Sequence, residues 1–210
     1  MIKKEILAEK FRKMKIDEKI VSAFMKIKRE DFVLDEYKDE AYEDIPLPIL
    51  AGQTISQPTT VMLMLQALEL KENDRVLEIG AGSGYNAALL GEICKKGKVV
   101  SIEFLEELAD FAKKNIEKTK LKNVKIIRGD GTKGYLKEAP YTKIVCTAAV
   151  PEIPKEWVEQ LEENGIIVAP VGPQHSQRMI KLKKTKKGKE IADLGDFVFV
   201  PARGEHGYNI

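Results

Sequence analysis

The stretch that most limits what this chain can become is RVLEIGAGSGYNAALL, residues 75 to 90. Arg75 to Ile79 have strand-forming character and run without a break into Gly80, Ala81, Gly82, Ser83 and Gly84, and then into an apolar helical segment. A strand that turns on glycines straight into a helix opens a βαβ unit, in which strands are parallel and crossovers right-handed. The text that follows repeats that grammar. KVVSIE, NVKIIRGD, TKIVCTA and GIIVAPV read as buried strands, while AALLGEICK, LEELADFAKKNIEKT and PKEWVEQL read as helices. The expectation is an α/β fold with a mostly parallel, doubly wound sheet. RMIKLKKTKKGKEIADLGDFVFVP then alternates around KKGK, which predicts a C-terminal antiparallel hairpin finishing the sheet.

Ahead of this core, Ile2, Ile6, Leu7, Phe11 and Met14 recur with the helical period, and Ile20, Val21, Phe24 and Ile27 do so again after Asp17. Two short amphipathic helices are predicted. From Asp39 to Gln57 the periodicity vanishes, and Pro46 and Pro48 exclude a helix, so this segment reads as an extended strap. Pro58 suits the first turn of a helix with Val61, Leu65 and Leu68 on one face. A chain of 210 residues suits one domain: helices and strap in 1–57, a core in 58–175, hairpin and tail in 176–210.

Charge narrows the partners. Lys plus Arg, 35, nearly cancels Asp plus Glu, 33, so no strong net field draws in nucleic acid or a membrane surface. No apolar run approaches the roughly 18 to 20 residues of a membrane span, and the start shows no signal-peptide core. A cytoplasmic protein is expected, and a monomer, since no spare apolar face stands out. Cys94 and Cys146 lie in apolar text and read as buried free thiols rather than a disulfide or a zinc site. With only His175 and His206, there is little material for a histidine metal site or a Ser-His-Asp triad, and no metal is expected. Lys183, Lys184, Lys186, Lys187 and Lys189 read as the solvated tip of the hairpin, with peptide or nucleic-acid binding as the second reading.

The glycine loop points to a ligand held close to the main chain beside a helix N-terminus. A dinucleotide fingerprint would place glycine where Tyr85 stands, and Glu78 would repel a pyrophosphate. Glu78 suits a cation instead. S-adenosyl-L-methionine carries a sulfonium and an ammonium and no phosphate. Its ribose and adenine call for polar groups at the ends of the next two strands, and Glu103 and Asp130, followed by Gly131, stand there. Glu103 can accept from both ribose hydroxyls and Asp130 from the adenine amino group. The predicted cofactor residues are therefore Glu78, Gly80, Gly82, Ser83, Gly84, Glu103, Asp130 and Gly131.

VLEIGAGSGYNAALL, SIE and RGDG together resemble the Rossmann-like class of S-adenosylmethionine-dependent methyltransferases. AYEDIPLPI, GQTISQP, RGDGTKGY, TAAVPEIPKEWVEQLEENGIIVAPVG and FVFVP narrow the resemblance to the protein-L-isoaspartate (D-aspartate) O-methyltransferases. That resemblance implies methyl transfer to the side-chain or α-carboxylate of L-isoaspartyl and D-aspartyl residues in damaged proteins, starting repair through a succinimide and leaving S-adenosyl-L-homocysteine. It also implies that Ser56 is the active-site serine, with Thr54 beside it over the cofactor. Gln53, Thr54, Ser56, Pro201 and Arg203 are the substrate-side candidates. Two readings stay open for several of these. Ser56 precedes a proline-started helix and also reads as a plain cap, and Pro201 and Arg203 read equally as structural. Thr59 departs from the family, which often has an aromatic or histidine there. A methyltransferase acting on a small molecule or RNA would share the acids without needing GQTIS, and a non-enzymatic binding module would keep the loop for folding alone.

Overall fold

The computed structural model describes residues 2–209. Ile2–Lys13 (α1) and Glu18–Lys26 (α2) are the two expected N-terminal helices. Asp17 caps α2 by accepting from the Lys19 amide, and Ile20, Val21 and Phe24 bury the predicted face, with Phe24 edge-on to Phe11 at 5.1 Å. The strap departs from the expectation of a simple extended segment. A 3-10 turn at Asp35–Glu40 leads into it, another at Leu50–Gly52 lies within it, and it folds back on itself through a two-residue ladder, Leu47–Pro48 (β1) against Thr54–Ile55 (β2). Prolines exclude a helix but leave carbonyls that still need donors. The reversal answers that need, with Ala51 at φ 56° and the Ile49 amide donating to Gln53 O at 2.9 Å.

Pro58–Ala67 (α3) follows, and then the core: Arg75–Ile79 (β3), Tyr85–Ile93 (α4), Lys98–Glu103 (β4), Glu106–Thr119 (α5), Val124–Arg128 (β5), Tyr141–Cys146 (β6), Lys155–Glu159 (α6), Leu161–Val171 (β7), Gln177–Thr185 (β8) and Gly188–Phe197 (β9). The seven-stranded sheet has the order β5-β4-β3-β6-β7-β8-β9. β3 to β7 are parallel, and β8 and β9 add the antiparallel hairpin. Strand parity divides the core. Leu77, Ile79, Val100 and Ile102 join Ile144 and Trp157 on one face, while Val76, Val99 and Val145 face the other with α4, α5 and the N-terminal helices. Glu78 and Ser101, paired in register, are on this second face.

Two more details differ from the sequence reading. The helix expected over PKEWVEQL stops at Glu159, and β7 begins at Leu161 rather than Gly165, with a register shift opposite Tyr141–Lys143. Gln160 is drawn into tertiary bonds: its side chain accepts from Tyr135 N at 2.6 Å and donates to Lys133 O at 2.9 Å. Its carbonyl accepts from Tyr141 N, which ends the helix. In the lysine cluster, Lys186 and Lys187 do form the exposed turn, but Lys184 is half-buried and donates to the Val158 and Leu161 carbonyls at 2.8 and 2.7 Å. Cys94 and Cys146 are buried free thiols. Among the described residues no helix is long and apolar enough to cross a membrane.

Candidate active site

The loop between β3 and α4 is held by main chain. Gly80 and Ala81 donate their amides to Ile102 O at 2.8 and 3.1 Å, which ties the loop to β4. At Gly80, φ is 90° and an added Cβ would stand 2.7 Å from Thr147 Oγ1, so the loop lies directly against the end of β6. Gly84 opens α4 at φ 86°, where a side chain would meet the Ala112 backbone of α5 at 3.2 Å. Both positions require glycine for conformation and for space.

The three predicted acids have three different tasks. Glu103, 6% exposed, accepts from Gly82 N at 2.8 Å on one oxygen and Leu105 N at 3.0 Å on the other, which fixes the carboxylate and leaves a lone pair on each. Glu78 does not reach the cleft wall. It is fully buried and accepts from Ser101 Oγ at 2.5 Å and Asn86 Nδ2 at 2.8 Å. Burial pushes its pKa up to about 7, held back by those two donors and raised further by the Glu103 charge. Asp130 is also away from the wall. One of its oxygens accepts from the Thr132 amide and hydroxyl, at 2.9 and 2.5 Å, and the other from Glu205 N at 2.9 Å. The carboxylate expected to read adenine also holds the C-terminal tail, so close that a Cβ on Gly204 would stand 2.1 Å from it.

The cleft's other side comes from the strap. Helix α3 has Gln57 as its N-cap residue, with no side-chain cap bond of its own. Asp44 supplies the cap from fifteen residues upstream, accepting from Thr59 N at 2.9 Å and Thr59 Oγ1 at 2.6 Å, and Lys10 of α1 binds the same carboxylate at 2.5 Å. This overturns the plain-cap reading of Ser56, whose hydroxyl caps nothing. The N-terminus of α3 is thus occupied by the Asp44 carboxylate. Thr59 now has a task, because its hydroxyl anchors the strap. The tail crosses nearby, with Ala149 N donating to Val200 O and Ala202 N to Ala149 O, both at 2.8 Å.

These parts meet around an open cleft of about 950 Å³, the solvent at its mouth included. Its wall includes Gln53, Thr54 and Ser56 of the strap, Gly80, Gly82 and Ser83 of the loop, then Glu103, Gly131, Pro201 and Arg203. Of the predicted residues, Glu78, Gly84 and Asp130 are not brought to it. Sequence reasoning missed Asn86, Phe104 and Thr147, which also line it. Thr147 directly follows a strand, so the rule that located Glu103 would have found it. Asn86 sits in the first turn of α4 and carried no sequence signal. The wall suits a cationic nucleoside. Asn86 Oδ1 is a buried acceptor without a partner, its amide turned by Glu78, and the loop's glycines leave main chain open to close approach. Among the described residues no group of three or more His, Cys, Asp and Glu is placed to hold a metal.

Comparison with known proteins agrees with this geometry. The family model described as protein-L-isoaspartate(D-aspartate) O-methyltransferase (PCMT) matches residues 2–207. A protein-L-isoaspartate O-methyltransferase of Methanoculleus marisnigri is 48% identical over 192 residues, 91% of this chain and 86% of its own. One from Archaeoglobus fulgidus is 47% identical over 209 residues, 98% of this chain and 95% of its own. Among solved structures, a protein-L-isoaspartate O-methyltransferase superposes with a TM-score of 0.91 at 33% identity, covering 97% of this chain and 67% of that one. A Plasmodium falciparum structure described as a beta-aspartate methyltransferase in complex with S-adenosyl-L-homocysteine gives 0.81 at 26% identity, covering 92% and 95%. With the family matched from end to end and the strap, loop and tail converging on one cleft, this chain belongs to the protein-L-isoaspartate(D-aspartate) O-methyltransferase family.

Proposed function

We propose that this chain transfers a methyl group from S-adenosyl-L-methionine to the side-chain or α-carboxylate of L-isoaspartyl and D-aspartyl residues in age-damaged proteins and peptides. The observation that carries the reading is that Gln53 to Ser56 and the glycine loop line one cleft, in a chain of this family. A methyltransferase of small molecules or RNA would have no use for that strap, and the comparisons favour the protein-directed reading.

Bound at this site, S-adenosyl-L-methionine supplies an electrophilic methyl group on a sulfonium. We assign its hold to Glu103, Gly80, Gly82, Ser83, Gly131 and Asn86. Asn86 is added to the sequence-based set, while Glu78 acts through Asn86 and Asp130 through the tail. The acceptor carboxylate has a pKa of about 4 and is ionised at neutral pH, so the chain need not supply a general base. The protein's work is to orient that carboxylate and strip its water. Ser56, half-buried, has a hydroxyl that makes no hydrogen bond to any described residue, which leaves it free to donate. Thr54 assists. These neutral donors position the carboxylate without the tight ion pair that would blunt its nucleophilicity. Arg203 is exposed at the mouth of the cleft, suited to a carboxylate on the substrate's flank, and Pro201 and Gln53 line its path. After release, the ester is attacked by the next peptide nitrogen, methanol leaves, and the resulting succinimide hydrolyses in part to normal aspartate. We place the protein in the cytoplasm as a monomer. Tritiated methyl transfer to an isoaspartyl peptide, beside the same peptide with normal aspartate, tests the whole. Base-labile label on the first alone is expected, and label on neither, or on RNA, would refute it.

A further inference from the structure

Among the described residues of the N-terminal region, Arg29 is the one charged side chain that is fully buried. It follows α2 in the 3-10 turn Arg29–Phe32, and among the described residues no carboxylate lies within ion-pair distance of it. Its guanidinium is given entirely to main-chain carbonyls. Nη1 donates to Ala41 O at 2.5 Å, and Nη2 donates to Ile45 O at 3.3 Å and to Ser56 O at 3.0 Å. Nε is buried without a partner. The group lies over the Tyr85 ring, 6.0 Å from its centroid, and Tyr85 lines the cleft.

A tie between strap carbonyls does not by itself call for a charge, because an amide or hydroxyl could donate without the desolvation that a buried cation costs. That cost is visible here in a pKa drawn down by burial, although a guanidinium stays charged throughout the accessible pH range. The carboxylate whose charge acts on it, Asp44, is already bonded to Lys10 and Thr59. A positive charge without an ion-pair partner among the described residues therefore stands behind the carbonyl of Ser56. The cofactor half of the site, from the glycine loop to Glu103, makes no hydrogen bond to Arg29.

We propose that Arg29 is the positioning residue of the acceptor half of the site: it fixes the Ser56 segment against the strap and biases that half towards an anionic acceptor, while its contact with the cofactor half is limited to the face of the Tyr85 ring. The inference rests on the reading of this cleft as one that takes an isoaspartyl carboxylate.

The test separates acceptor from cofactor. In Arg29→Met, KM for an isoaspartyl peptide should rise about tenfold and kcat should fall about tenfold, the scale expected for losing charge-assisted hydrogen bonds. The Kd for S-adenosyl-L-homocysteine, measured by calorimetry, should stay within about twofold, and Arg29→Lys should recover part of KM because it keeps the charge. A merely structural arginine would lower peptide turnover and cofactor affinity together, in step with the folded fraction, and that outcome overturns the proposal, as does an unchanged peptide KM. Should Arg29→Met fail to fold, Arg29→Lys carries the same comparison: a raised KM with intact cofactor affinity supports the proposal, and parallel loss or no change overturns it. Absence of methyl transfer by the unsubstituted protein would sink the functional reading, whereas transfer with unimpaired Arg29 variants sinks this inference alone.

Discussion

The two walls of the cleft are built by opposite means. The cofactor wall is local: β3, its loop and α4 are one continuous stretch of sequence, and the acid that fixes the loop closes the adjacent strand. The acceptor wall is assembled across long separations. Residues 41 to 56 are held by Lys10 from α1, by Arg29 from beyond α2 and by the start of α3, while the tail is held by Asp130 from the end of β5. The first wall follows from strand, turn and helix rules. The second exists only once the core has folded, and each of its ties is a side chain reaching for a distant main-chain or polar group. On the proposed function, the locally built wall serves the constant ligand and the separately tied wall serves a varied peptide.

The comparison can be broken at its base first. Glu78, buried beneath the cofactor wall, has a folded-state pKa near 7 against an ordinary 4.5. A raised acid contributes stability that is complete below pH 4.5 and is lost as pH rises through about 7, because the folded state holds the proton longer. At about 1.4 kcal/mol per unit, its contribution to the ligand-free protein should fall by about 3 kcal/mol across that window. Chemical denaturation of wild type and Glu78→Gln at pH 5 and pH 8 should show the slope flattening in the variant. An identical slope would mean that Glu78 is ionised throughout.

Next comes the wall itself. Glu103→Ala removes the acceptor for two loop amides together with the proposed ribose contact, so affinity for S-adenosyl-L-homocysteine should drop about 50-fold to 100-fold, or roughly 2 to 3 kcal/mol. Calorimetry reads this directly, and a change under fivefold would place the ribose elsewhere. On the opposite wall, Ser56→Ala should lower kcat by about tenfold to 30-fold while the melting temperature stays put, since Asp44 caps α3 without it. Full turnover would return Ser56 to a structural role. The smallest effect is expected at the ties. Asp44→Ala should cost about 1 to 2 kcal/mol of stability as a lost cap and raise KM for the isoaspartyl peptide a few-fold, with cofactor affinity unchanged. Equal loss on both sides would erase the distinction between the walls.

Legibility in the sequence follows the same divide. The strands, their order of appearance, the glycine loop and Glu103 could be read because strand alternation, glycine turns and carboxyl-edge sites depend on neighbours within a few residues. Glu78 and Asp130 were read as ligand contacts by that edge rule, which fixes a position along the strand. What each carboxylate touches was decided by register and by the returning tail: Glu78 meets Ser101 across the β3–β4 pair, and Asp130 meets the amide of Glu205. Ser56 illustrates both limits, since serine before Pro58 fits a cap until Asp44 is seen to arrive from elsewhere.

The sequence by itself determined the parallel core, the hairpin that closes it and the cofactor loop, because those are set by period and by the backbone freedom of glycine. Only the tertiary structure decided which acids face the cleft, what caps α3 and where the buried charge of Arg29 is directed. Those outcomes depend on donors and acceptors far apart in the chain, each finding a partner only after the layers have packed.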